Sequence, residues 1–164
     1  MRNFLILIFL LLGFFGNSQE TLHELLKTHN KESVPYISAQ ELAMPKTEAI
    51  LLDARETAEY KVSHIKNAMH VGYDHFDLNT VLKAIPDTSK TIVVYCSVGI
   101  RSEDIAEQLK KKGYTNVYNL FGGIFEWKNN NFSVFNSEEK ETELIHAYSE
   151  DWSKWLLKGT KIYE

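Results

Sequence analysis

Cysteine occurs once in the 164 residues and proline three times, and neither sign of charge dominates, with 18 basic against 22 acidic side chains. A single thiol excludes an internal disulfide framework and any metal cluster built on several cysteines. A net charge of -4 lacks the basic excess of a nucleic-acid binder, so no nucleic-acid partner is expected. Long apolar runs are also missing. The most extended, Phe4 to Phe15, has 12 residues, well short of the about 20 that a helix needs to span a bilayer. The chain shows no repeat, low-complexity tract or long linker, and 44% of it is apolar. That combination describes one globular domain, long enough to bury a core without covalent staples.

The apolar run follows Met1 and Arg2 and gives way to Gly16, Asn17 and Ser18. This charged, apolar, small-residue order is that of a secretory signal. Residues 1–18 are therefore expected to be cleaved after Ser18, placing the mature chain in a periplasm or outside the cell with no stable membrane span. The alternative is an uncleaved N-terminal anchor. No cysteine lies near the cut, which excludes lipoprotein processing. An exported chain with one unpaired thiol makes that thiol, Cys96, a candidate reactive group; the alternative is a small buried apolar residue.

Beyond the signal, residues 19–35 form an N-terminal helical segment, because Leu22, Leu25 and Leu26 share one face of Thr21 to Asn30. A short strand is expected at Val34 to Ile37 and a helix at Ala39 to Met44, opened by Ser38. Apolar runs and amphipathic segments then alternate through Ala49–Ala54, Thr57–Lys61, Ala68–Val71, Leu78–Ile85, Thr91–Cys96, Glu103–Lys112, Asn116–Leu120 and Ile124–Asn129. Short strands separated by helices predict an α/β fold with a parallel sheet covered on both faces. The helix after Cys96 has Ser102 as its expected N-cap, Glu103 and Asp104 in its first turn, Lys110 to Lys112 in its last, and Gly113 beyond.

Cys96 thus stands at the C-terminal end of an apolar strand, where ligands of open parallel sheets bind. The loop CSVGIR must curl around the sulfur, and Gly99 supplies the backbone freedom for it. Loop amides beside a helix N-terminus, with the charge of Arg101, favour an anion and lower a thiol pKa. Cys96 therefore reads as a thiolate nucleophile, with Ser97, Val98, Gly99, Ile100, Arg101 and Ser102 as its binding loop.

Three ordered segments, LLDARETAEYKVSHIKNAMHV, IVVYCSVGIRS and YNLFGGIFEW, together resemble the rhodanese (sulfurtransferase) domain over about Tyr36 to Asn131. The resemblance implies a three-layer α/β fold, a central parallel sheet with helices on both faces. It also implies that Cys96 takes a sulfane sulfur from a small donor such as thiosulfate or a polysulfide, and hands it from a persulfide to a thiol or cyanide. No cofactor or metal is implied, and a monomer is expected. Asp53 and Arg55 match residues that in this family order or charge the pocket rim, so both are expected to contribute to binding; a structural salt bridge is the alternative. Gly122, Gly123 and Trp127 match its Gly-Gly-x-x-x-Trp motif.

Ser63, Lys66 and Asn67 depart from the family pattern around His64. Ser97 stands where many thiosulfate users carry a cation, which bears on the donor rather than on persulfide chemistry. The rivals are a cysteine phosphatase or arsenate reductase, a binding module of this fold that has lost catalysis, and a thiol redox partner. The first of these wraps a tetrahedral oxyanion in a longer loop than the four residues Ser97 to Ile100 between Cys96 and Arg101. The tail, residues 132–164, opens acidic and ends with Tyr148, Trp152, Trp155 and Tyr163. It is expected to fold back on the domain, near the mouth over Cys96, and to narrow the range of donors.

Overall fold

The computed structural model describes residues 20–163, so the expected secretory signal lies outside the described residues. The elements are α1 (Leu22–His29), β1 (Tyr36–Ile37), α2 (Ala39–Leu42), β2 (Ile50–Asp53), α3 (Thr57–Val62), β3 (Met69–His70), α4 (Leu78–Ala84), β4 (Thr91–Tyr95), α5 (Arg101–Lys111), β5 (Asn116–Leu120) and α6 (Gly123–Asn129). After them come β6 (Val134–Phe135), β7 (Glu141–Thr142), β8 (Leu144–His146), α7 (Glu150–Ser153) and β9 (Thr160–Ile162). No described helix is long and apolar enough to cross a membrane.

Five strands make one parallel sheet in the order β1-β5-β4-β2-β3. Alternation along β4 decides what each face buries. Val93 and Tyr95 point into a core with Leu42, Leu120, Ile124 and Phe125, while Ile92 and Val94 point into another with Val81, Ile105, Ala106 and Leu109. Helices α2 and α6 therefore cover one face and α4 and α5 the other, which is the α/β, three-layer arrangement expected. Crossovers between parallel strands leave their C-terminal ends on a common edge, and Cys96 follows β4 there.

The tail is part of this core. Ile145, Ala147 and Leu156 are fully buried in the same cluster as Val93 and Tyr95, and β8 packs against α3. Strands β8 and β9 pair in parallel as a separate ribbon, and β6 pairs with β7 antiparallel.

Three of the differences from the expected boundaries have a local cause. The first strand begins at Tyr36 rather than Val34, because Pro35 has no N–H to give a ladder; its carbonyl accepts from Asn119 N–H at 3.0 Å. Helix α2, capped by Ser38 as expected, ends at Leu42 rather than Met44 because Pro45 disfavours helical geometry just ahead of it. Ser102 is not the cap of α5. The helix already starts at Arg101, and the cap position, Ile100, has helical backbone and no side-chain bond. The Ser102 side chain turns inward instead, and is completely buried.

Candidate active site

The loop after β4 is held from beneath by α6. Ile124 N–H donates to the Cys96 carbonyl at 2.9 Å and Phe125 N–H to the Ser97 carbonyl at 3.1 Å. Only glycine permits this approach: at Gly123, with φ 55°, a Cβ would lie 2.3 Å from the Cys96 carbonyl oxygen. Gly123, the second glycine of the family motif, thus sets the floor of the Cys96 loop.

Gly99, at φ 107°, turns the chain so that its N–H donates to Cys96 Sγ at 3.1 Å. Its carbonyl accepts from Asn119 Nδ2 and Asn30 Nδ2, both at 2.8 Å, which fixes the turn from the far side. The single proton of the Ser102 hydroxyl has two acceptors in reach, Asn119 Oδ1 at 2.8 Å and Cys96 Sγ at 3.5 Å. Burial alone pushes the Cys96 thiol up. The charge of Arg101, the Ser102 hydroxyl and the amides of Ser102 and Gly99 outweigh it, so the thiol sits below its ordinary value.

Arg101 does not face the sulfur with a free guanidinium. Its Nη1 and Nη2 donate to the two oxygens of Glu59 at 2.8 Å each, and Nη2 also donates to Ser97 Oγ at 3.1 Å. Ser97 Oγ in turn donates to Glu59 Oε1 at 3.0 Å. Burial opposes the charge of Glu59, but the Arg101 fork prevails and holds the carboxyl below its usual range. The Tyr148 ring covers the guanidinium at 4.9 Å from its centroid. Sequence reasoning missed Glu59; the available signal was a third carboxylate inside the first motif, four residues past Arg55.

Over Cys96 opens a cleft of about 110 Å³. Loop residues Ser97, Val98, Ile100 and Arg101 form one side, and Tyr148 and Trp152 of the tail form the other. The aromatic tail therefore lies at the mouth over Cys96. Gly99 and Ser102 act on the sulfur from behind rather than lining the opening.

Asp53 and Arg55 are not on that rim. Both are completely buried, and they bind one another through Arg55 Nη2 to Asp53 Oδ2 at 2.7 Å and Arg55 Nε to Asp53 Oδ1 at 3.0 Å. Arg55 Nη2 also donates to the Ser63 carbonyl at 2.6 Å. The pair ties the end of β2 to the segment after α3, so its geometry is that of a structural salt bridge. Among the described residues no group of three or more His, Cys, Asp or Glu side chains converges.

A family model, described as the rhodanese-like domain, matches residues 38–130. A thiosulfate sulfurtransferase GlpE of Coxiella burnetii is 33% identical over 97 residues, covering 59% of this chain and 87% of its own. A tRNA uridine(34) hydroxylase of Aster yellows witches'-broom phytoplasma is 36% identical over 102 residues, covering 59% of this chain. The chain spans about a third of the length of that relative, 33%. Among solved structures, the BH2092 protein of Bacillus halodurans superposes with a TM-score of 0.56 at 22% identity, over 71% of this chain and 88% of its own. Tyr148 and Trp152 lie beyond the residues that the family model matches.

Proposed function

The chain belongs to the rhodanese-like domain family, and from that premise we propose that it is a sulfurtransferase carrying sulfane sulfur as a persulfide on Cys96. The observation behind this reading is a lone thiol at a strand end, held below its ordinary pKa at the foot of a cleft. The Cys96 thiolate attacks the sulfane sulfur of a donor, the donor's S–S bond breaks, and its electron pair leaves with the rest of the donor. The persulfide then keeps the N–H of Gly99 and the hydroxyl of Ser102 as donors to its charge. An acceptor thiol or cyanide attacks the outer sulfur and restores the thiolate. Because the chain has no second cysteine, the acceptor comes from outside it.

Support for sulfur transfer also comes from the relative named as a thiosulfate sulfurtransferase. Export belongs to the same proposal: with residues 1–18 as a signal, a monomer exchanges sulfur with small molecules beyond the cytoplasm. Thiocyanate release from cyanide and a polysulfide, abolished in Cys96→Ser, is the expected result. Hydrolysis of a phosphate ester without thiocyanate formation would overturn it.

A further inference from the structure

The cleft over Cys96 is lined by seven residues. Of the residues lining it, Arg101 alone is cationic, and both arms of its guanidinium are bound to Glu59 while Tyr148 covers its face. A dianion entering the cleft meets a balanced ion pair and a thiolate, with no unpaired positive charge to offset its own. Apart from Cys96 and Ser97, whose hydroxyl is bound to Glu59, the remaining walls are apolar or aromatic, from Val98, Ile100, Tyr148 and Trp152.

The two rings are held in place by the fold. Tyr148 has φ 67°, a left-handed backbone that a bulky aromatic residue rarely adopts. The preceding Ala147 is completely buried, and the Tyr148 N–H donates to His146 Nδ1 at 3.1 Å, so the turn is fixed from both its core and its polar side. The residue as a whole is half exposed, at 50%. Trp152 is backed by the His29 ring of α1, with centroids 6.0 Å apart. Strain at Tyr148 persists because the tail is anchored in the core, and it places an aromatic surface opposite Ile100.

We propose that Tyr148 and Trp152 are specificity-determining residues that select an organic persulfide with an apolar or aromatic substituent over thiosulfate. This rests on the sulfur-transfer reading and names its donor class. In the loading step, Cys96–S⁻ attacks the outer sulfur of R–S–SH. The new bond joins Cys96 Sγ to that sulfur, the donor's S–S bond breaks, and its electron pair leaves as R–S⁻ with the proton remaining on the transferred sulfur. One negative charge enters the step and one leaves it, with no oxidant or reductant. The R group rests against the two rings.

Loading rates are measured by rapid quench and intact-protein mass, with benzyl persulfide, cysteine persulfide and thiosulfate as donors. The wild-type chain is expected to load fastest from benzyl persulfide. In Tyr148→Ala/Trp152→Ala the preference for benzyl over cysteine persulfide should fall roughly tenfold, while Tyr148→Phe should keep it. Should the double variant not fold, Tyr148→Ala at its half-exposed position carries the test. Thiosulfate loading the wild type as fast as benzyl persulfide would overturn the inference, as would an undiminished preference in the variants. No sulfur adduct from any donor would overturn it together with the sulfur-transfer reading, a result distinguishable from loading that ignores the rings.

Discussion

Glu59 holds Arg101 in a two-bond fork, Nη1 to Oε2 and Nη2 to Oε1, each at 2.8 Å. The carboxylate comes from α3 and the guanidinium from the first turn of α5, so the fork joins elements on either side of the Cys96 loop. It orients the charge that lowers the thiol pKa, and balances it at the same time.

Glu59 is 3% exposed, and its removal leaves Arg101 partly buried without a counterion. Glu59→Gln is expected to destabilise the fold by about 3 kcal/mol, the scale for breaking one side of a buried pair. Urea unfolding at neutral pH measures this. An unchanged midpoint would mean that the fork contributes no net stability.

Arg101→Gln removes the largest influence that opposes burial at Cys96. The rate of alkylation by iodoacetamide follows the thiolate, so in the wild type it should rise through a midpoint below that of a free cysteine. The variant's midpoint should move upward. The linkage has a definite sign: between the lowered and the ordinary value the unfolded chain holds a proton that the folded chain has released. Stability from Cys96 is therefore present above the ordinary value and lost as pH falls through the lowered one. Equal midpoints in both proteins would remove Arg101 from the account of the thiol.

Gly123→Ala forces a Cβ to within 2.3 Å of the Cys96 carbonyl oxygen. Gly113→Ala shares the left-handed backbone, at φ 94°, but has nothing within 4 Å. The first is expected to lose both stability and alkylation rate at Cys96, and the second about 1 kcal/mol of stability alone. Thermal melting beside the alkylation assay separates them. Equal losses would show that α6 does not set the loop.

The alternation of strands and helices was legible because apolar runs in a sheet buried on both faces leave a continuous signal, as Thr91 to Tyr95 does. Cys96, Gly99 and Arg101 were legible for the same reason, since they punctuate the step from such a strand to an amphipathic helix. What the sequence hid is who pairs with whom. Ser102 looked like a cap because its residue type favours caps, yet the loop enters the helix early and turns the hydroxyl toward Asn119 and Cys96. Asp53 and Arg55 looked like rim groups, and mutual pairing buried both. Asn119 and Asn30 carry no local signal of their part in the site, and Glu59 only its place in the first motif, because each reaches the loop across the fold. The rings at the mouth were legible as a tail that folds back; the placement of Tyr148 over Arg101 depends on the anchoring of Ala147.

The most direct test of the central claim is the intact mass of the protein after incubation with polysulfide, an organic persulfide and thiosulfate in separate reactions, with Cys96→Ser in parallel. The account predicts a gain of one sulfur atom on the wild-type chain, lost on adding cyanide with release of thiocyanate, and no gain on the variant. A wild-type mass unchanged by every donor, or a sulfur adduct that persists in Cys96→Ser, would contradict it.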